Sequence, residues 1–492
     1  MHKKMFKAIL RAPIRFFDTN PSGRILNRFS KDMGQIDELL PITFVDFLWI
    51  FGAIVSVVIL TSVVNYFVIL LNIPFVIYFL WLRSYYLRTS RDIKRLEGSC
   101  RSPVFSLLSS TLQGLLTVRA FGVQQQFEDK FHEYQDLHSA SWFLFLVGTR
   151  WFGLRLDLIT ATFISVVTFF TVIGASLLNL NPGEIGLVLT YTASLLTIFQ
   201  WGVRQSAEIE NLMISVERVQ QYYRIPPEAT LENPNKQPPN SWPRCGAIKF
   251  KNVSFSYYDG GPEVLRSIDF VIQSQEKIGI VGRTGAGKSS LISALFRLSE
   301  LTSGEIFIDG IPISSLGLHD LRKALSIIPQ DPILFTGTMR RNIDPFNNYW
   351  DEDLWKALEQ LKELVESFPM KLNTEIAESG SNLSVGQRQL VCLARAVLRK
   401  SKILVIDEAT ANVDIRTDRL IQKTIRQKFK QCTVITIAHR LNTIIDSDKI
   451  LVLEEGQIKE FDKPNVLLQK KDGLFASIVK SAGLSTAKSN FE

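Results

Sequence analysis

Residues Gly282–Ser289 read GRTGAGKS, which fits G-x-x-x-x-G-K-[ST], and the residues on either side decide what that match is worth. Lys277–Val281 (KIGIV) before it is a short β-branched run that predicts a buried strand, and Ser290–Arg297 after it predicts the start of a helix. Strand, glycine loop and helix in that order make a phosphate cradle. Gly282, Gly285 and Gly287 let backbone N–H groups turn inward without a Cβ in the way, and Arg283, Thr284, Ala286 and Ser290 complete the same loop. The helix N-terminus adds its dipole, Lys288 reaches phosphate oxygens, and the Ser289 hydroxyl is placed to ligate Mg²⁺. An ordinary glycine turn explains the pattern less well, because its flanks are those of a nucleotide site.

Further along, Ile403–Ile406 predicts a second apolar strand ending at Asp407, where a carboxylate holds Mg²⁺ through water. Glu408 follows, where a base polarises the attacking water. Alone, an Asp-Glu pair after a strand reads as a solvated strand end. Its place after the phosphate loop gives it a catalytic reading.

Leu383–Gln387 (LSVGQ) lies 95 to 99 residues beyond Lys288 and resembles the signature segment of ABC transporters, although Val385 stands where most of that family carries Gly. The resemblance implies ATP clamped head-to-tail between two such domains, with Ser384, Gly386 and Gln387 contacting the γ-phosphate held by the opposite one. It implies that Gln330, in Ile-Ile-Pro-Gln, is the Q-loop residue that ligands Mg²⁺, and that His439, after the strand Thr433–Ala438, is the switch histidine. Tyr257 in NVSFSYY is similar to the aromatic that stacks on adenine, with Tyr258 the alternative one register away, and Ala411–Asp414 (ANVD) occupies the D-loop position. The implied cofactors are ATP and Mg²⁺.

In the front half, apolar runs at about 42–64, 66–82, 158–178 and 185–203 approach the length that crosses a hydrocarbon core of roughly 30 Å. Met1–Leu40 carries eight Lys or Arg and Arg83–Arg155 carries ten, while Thr61–Phe67 and Asn179–Glu184 carry none. Basic loops stay inside, so both chain ends are expected in the cytosol of a multi-pass protein, with plasma membrane the expected destination. The net charge of +8 then reflects that bias, and no basic run with interleaved aromatics suggests a nucleic-acid groove. Met1–Phe17 lacks the central apolar run of a cleavable signal peptide. Cys100, Cys245, Cys392 and Cys432 fall on the cytosolic side without C-x-x-C spacing, so reduced thiols are expected.

The expected organisation is a four-span membrane region over 1–225, a Pro-rich linker over 226–245 with little to bury, an ABC nucleotide-binding domain over 246–482 and a polar tail over 483–492. The fold class is an α-helical transmembrane bundle plus an α/β P-loop domain carrying an antiparallel strand subdomain. Phe16–Asp32 and Ser102–Phe121 resemble the cytosolic loops that carry coupling helices in ABC exporters. Nearly the whole chain resembles the C-terminal half of the multidrug resistance-associated (C) subfamily. On that likeness Met1 starts near the end of the second of six spans, and an N-terminal half, or another ABC half, supplies the opposing nucleotide-binding domain.

The resemblance implies ATP-driven export of amphipathic organic anions. Trp201 and Arg204, one helical turn apart near the inner end of the last run, are candidate cavity residues, as are Arg150, Trp151 and Arg155; equally, Trp suits interfacial belts and Arg snorkels from helix ends. An ATP-gated channel or channel regulator, and a short half with no transport of its own, are the alternatives.

Overall fold

A computed structural model describes residues 1–65, 67–178, 181–239, 241–258, 260–358, 365, 366, 368, 370–409, 413–438, 443–470 and 473–481. The chain divides into two compact units. One comprises Met1–Lys7 and Ser22–Arg224, the other Ala8–Pro21 and Ile225–Glu492.

The first unit is helical. After α1 (His2–Leu10), α2 (Ile14–Thr19) and α3 (Ser22–Asn27), the backbone winds into two π-helical segments, Arg28–Asp32 and Gln35–Leu39, and then into α4 (Leu40–Val64). Pro41 in the first turn of α4 has no N–H to leave unbonded. α5 (Phe67–Gln113) meets α6 (Leu115–Phe121) at a 77° bend, and α6 ends on Gly122, whose φ of +66° suits glycine. α7 (Gln124–Leu178) and α8 (Pro182–Tyr223) complete the unit. Among the described residues, two helices, within Ser22–Val64 and Gln124–Ile173, are long and apolar enough to cross a membrane, and up to four are if each bent pair counts as one span.

α5, α7 and α8 run 47, 55 and 42 residues, well past the apolar runs that begin or end them. Beyond those runs a polar contact joins α5 to α7: Glu97 is buried, pairs with Lys94 of its own helix at 3.0 Å and accepts from His138 Nε2 of α7 at 3.2 Å. Burial raises the Glu97 carboxyl, but Lys94 and His138 outweigh it and hold it below the usual carboxylate value.

The second unit is built on two sheets. β1 (Ile248–Phe255), β2 (Leu265–Ile272), β4 (Ser303–Ile308) and β5 (Ile311–Pro312) form an antiparallel sheet in the order β2-β1-β4-β5. The larger sheet runs β12-β11-β3-β10-β9-β6, from β3 (Lys277–Val281), β6 (Leu325–Ile328), β9 (Ile403–Asp407), β10 (Thr433–Ile437), β11 (Lys449–Glu454) and β12 (Gln457–Asp462). Only β12 is antiparallel to its neighbour. Ile403, Leu404, Val405 and Ile406 are all buried, as a central parallel strand covered on both faces requires. α9 (Lys288–Leu295) and α10 (Leu318–Ala324) flank this core. A smaller helical cluster gathers α11 (Met339–Ile343), α12 (Asp351–Ala357), α13 (Val385–Arg399) and α14 (Ile415–Lys428) beside the ribbon of β7 (Gly337–Thr338) and β8 (Glu375–Ile376).

The proline-rich segment is not a loose tether. Thr230 and Leu231 carbonyls accept from the N–H groups of Leu318 and His319, Asn233 Nδ2 donates to Ser315 O at 2.9 Å, and the Trp242 indole donates to Ile308 O at 3.1 Å. A Cβ on Gly317 would stand 2.5 Å from Leu231 O, so this close passage needs glycine. Low apolar content therefore did not prevent docking, because the segment binds through backbone carbonyls.

Candidate nucleotide site

The loop after β3 is shaped by close approaches. A Cβ at Gly282 would lie 2.3 Å from Leu453 O, and Gly287 has φ +101° with Leu265 Cδ2 2.8 Å from where its Cβ would be. Around Gly285, at φ +84°, a Cβ would meet nothing within 4 Å, so this part of the cradle opens to incoming groups. Ala286 O accepts from Gly456 N–H and fixes the loop to the β11–β12 turn.

Lys288 is buried, and its ammonium folds back to donate to Gly282 O at 2.8 Å and Arg283 O at 3.2 Å. Burial pushes its pKa down; the negative charges of Glu408 and then Asp407 oppose that. Ser289 is exposed at the mouth of the loop.

Across from it, β9 ends in Asp407. Among the described residues its Oδ1 is sealed from solvent without a hydrogen-bond partner. Burial, then the neighbouring Glu408, push this carboxyl above its ordinary value, and Lys288 counters only in part. A polar atom left in that condition costs free energy unless something completes it. A hydrated divalent cation has the charge and donors to do so, and the residues present therefore fit Mg²⁺.

Glu408 adopts φ +47°, a left-handed conformation that is strained for a residue with a side chain, and its N–H donates to Ile437 O at 3.0 Å. Its Oε2 accepts from Gln330 Nε2 at 2.9 Å. Gln330 is held in turn by Gln389, a buried residue on α13 whose amide donates to Pro329 O at 2.8 Å and Gln330 O at 3.0 Å. The structure thus brings Lys288, Asp407, Glu408 and Gln330 together. Gln389 was not singled out from the sequence; it lies two residues past the LSVGQ segment, and only the fold aims it at the Gln330 loop.

Tyr257 donates to or accepts from Ser290 Oγ at 2.8 Å, and its ring stands edge-on to Phe255. Tyr258 differs: the Arg15 guanidinium covers its ring at 4.3 Å. Of the two tyrosines, Tyr257 is the one tied to the first turn of α9.

Ser384, Gly386 and Gln387 form a separate group. Ser384 caps α13 by accepting from Gln387 N–H at 3.2 Å, and Gln387 Oε1 accepts from Ser384 N–H at 2.8 Å. This is a capping box. A Cβ on Gly386 would come within 3.2 Å of Thr417 Cγ2 and 3.3 Å of Asp414 Oδ1, in the cap of α14. Asp414 is held below the usual carboxylate value by the Thr417 N–H. Among the described residues no hydrogen bond joins this group to the phosphate loop. His439, and Ala411 and Asn412 of the ANVD segment, lie outside the described residues.

In the helical unit Arg204 stands 5.8 Å from the Trp201 ring centroid, and both are exposed. Arg155 sits over Trp151 at 5.5 Å. Between Trp201 and Val203, Gly202 packs against Ile50 of α4, where a Cβ would lie 2.5 Å from Ile50 Cγ2. Trp201 and Arg204 therefore lie off the packed seam.

A family profile described as ABC transporter transmembrane region matches residues 1–200, and one described as ABC transporter matches residues 265–411. The chain is 59% identical over 489 residues to human ATP-binding cassette sub-family C member 4, covering 99% of this chain and 37% of that protein. It is 58% identical to the mouse protein of that name over the same shares, and 45% identical to ABC transporter C family member 8 of Dictyostelium discoideum, covering 100% of this chain and 31% of the relative. The chain spans about 37% of the length of the first of these relatives. A membrane region and an ATP-binding domain thus each match an ABC transporter profile in one chain, and along its length the chain is similar to C-subfamily ABC transporters.

Proposed function

We propose that the chain is the C-terminal half of a C-subfamily ABC exporter that moves amphipathic organic anions across a membrane at the expense of ATP. The observation that carries the ATPase reading is the meeting of an orphaned, buried Asp407 Oδ1, a strained Glu408 and Gln330 beside the Lys288 loop. When bound, Mg²⁺–ATP supplies the phosphoryl group that passes to water.

Lys288 exchanges its bonds to Gly282 O and Arg283 O for phosphate oxygens, and Ser289 and Asp407 hold the cation, Asp407 through water. Glu408 would accept the proton of the attacking water on its own carboxylate, which Gln330 orients, so that Gln330 serves both as a cation ligand and as the aiming residue for the base. Tyr257, anchored on Ser290, offers its ring to the adenine. By the family resemblance alone, His439 is assigned the role of switch histidine. Ser384, Gly386 and Gln387 face the phosphate loop of an N-terminal half or another ABC half on the cytosolic side, while the helical unit is the part in contact with lipid.

Closing that clamp moves the helices because the closed state binds ATP more tightly than the open one. Trp201 and Arg204 supply an aromatic face and a cation to an anionic substrate.

The test is uptake of an organic anion into inverted vesicles by the chain assembled with its opposing half. Glu408→Gln is expected to keep ATP binding and lose turnover and uptake by about 10²- to 10⁴-fold. Undiminished hydrolysis removes Glu408 from the base role, and an ATP-dependent single-channel current without uptake makes the protein a channel.

A further inference from the structure

α9 starts at Lys288 in the phosphate loop and runs about 12 Å to its end at Leu295. Helix ends leave carbonyls without intrahelical partners. Just past this one, Arg322 of α10 holds the carbonyls of the next two residues with one guanidinium, donating from Nε to Phe296 O at 3.2 Å and from Nη2 to Arg297 O at 3.0 Å. The same Nη2 reaches Glu228 Oε2 at 2.8 Å, and both partners of that pair are largely shielded, at 28% and 17% side-chain exposure.

Glu228 follows the last membrane-unit residue, Arg224, by only four positions. Its backbone is clasped to Arg11: Glu228 N–H donates to Arg11 O at 2.8 Å, and Arg11 Nη2 donates to Glu228 O at 2.9 Å and Ala229 O at 2.6 Å. Arg11 belongs to Ala8–Pro21, which clusters with the ATPase unit yet is covalently continuous with the helical unit at both ends. Thr230 and Leu231 then satisfy the first N–H groups of α10, one turn before Arg322, so segment and helix are in fixed register.

We propose that Arg322 and Glu228 are positioning residues that carry the state of the phosphate loop, through the end of α9, to every point at which the ATPase unit is covalently joined to the membrane unit: both ends of Ala8–Pro21 and the junction at Ile225. The geometry suits that role. A guanidinium has a planar fork that bonds carbonyls and a carboxylate at once, and a cation is favoured at the C-terminal end of a helix. A shift of α9 alters Arg322, and Arg322 has no freedom to follow without pulling Glu228. The inference rests on the transport reading above for its consequence, but not for its physical readout.

That readout is hydrogen exchange of the assembled transporter with and without Mg²⁺–ATP, followed in peptides covering 8–21 and 225–231, alongside uptake and ATPase. In the wild type Mg²⁺–ATP is expected to slow exchange in both segments. Glu228→Gln is expected to bind ATP within about two-fold of wild type and to lose that slowing, with the ratio of uptake to hydrolysis falling at least about five-fold. Glu228→Asp restores most of both, and Arg322→Lys, which keeps the charge but not the fork, behaves as Glu228→Gln does. A Glu228→Gln protein with the wild-type exchange response overturns the proposal, as does one that loses ATP binding in step with the response, since that is the mark of a simple staple. If the wild type shows no uptake, the export reading fails, and the exchange comparison still decides the relay.

Discussion

Asp407→Asn is expected to make the nucleotide-free protein more stable and the Mg²⁺–ATP-bound protein less so. An unpartnered buried acceptor costs about 1–3 kcal/mol, and more when charged. Asparagine keeps the shape and removes the charge at Oδ1 but leaves an amide only partly bonded, so recovery of about 1–2 kcal/mol is expected. For a unit of this size each kcal/mol moves Tm by about 2–4 °C, so the nucleotide-free variant melts about 2–8 °C higher. Magnesium reverses the order: at a hundredfold excess over Kd a ligand adds about 2.7 kcal/mol, a gain that wild type takes from Mg²⁺ over ATP with EDTA and the variant forgoes. The pH dependence fixes the cause. The folded pKa of Asp407 is raised, so its ionised form costs stability in full above that raised value, and the penalty shrinks as pH falls toward the unfolded value and vanishes below it. The advantage of the variant without metal must therefore fade on acidification. Thermal unfolding of the purified protein, with and without Mg²⁺–ATP across that pH range, decides the matter. A variant less stable than wild type without metal, or one gaining as much as wild type from Mg²⁺, would refute the reasoning that an unsatisfied carboxylate awaits the cation.

Other expectations concern separate parts of the molecule. Gly456→Ala forces a Cβ to 2.1 Å from Val264 O at a φ of +76°, so a loss of about 3 kcal/mol is expected, read as a Tm fall of about 6–12 °C. Asp309 accepts from the N–H groups of Cys245, Gly246 and Ala247 at 2.9, 3.1 and 2.8 Å, and Asp309→Ala should cost about 2–3 kcal/mol in denaturant midpoint without changing the affinity for nucleotide. Gln389→Leu frees the Pro329–Gln330 carbonyls, and turnover is expected to drop about tenfold with ATP binding intact, as single-turnover kinetics will show. Ser384→Ala should cost about 1 kcal/mol of cap and lower hydrolysis at the opposing site while leaving ATP affinity at this Lys288 unchanged.

Much of the ATPase unit could be read in advance because its determinants are local. KIGIV predicted β3 with the bounds the structure has, since β-branched residues buried on both faces leave little choice, and glycine is the residue that tolerates the positive φ at Gly285 and Gly287. What escaped was long-range or polar. Helices α5, α7 and α8 continue through charged stretches that an apolarity reading stops at, and Arg322 meets Glu228 across 94 positions. The docking of residues 230–233 uses backbone carbonyls and one asparagine amide, which carry no pattern in composition.

The LSVGQ segment shows how a residue can have two occupations. By resemblance Ser384 and Gln387 belong to a phosphate; in the single chain each is the other's helix cap. These uses draw on different atoms or lone pairs of the same side chains. Ser384 Oγ can donate its proton to an opposing phosphate while still accepting from Gln387 N–H, since a hydroxyl both donates and accepts. Gln387 Oε1 can likewise keep its bond from Ser384 N–H while Nε2 donates to the phosphate, since an amide carries both an acceptor and donors. Gly386 sits between them in close quarters, because Thr417 and Asp414 already stand near where a Cβ would be. Closure of the proposed clamp therefore asks for neither bond of the cap to be broken, so the capping box itself preorganises both contacts.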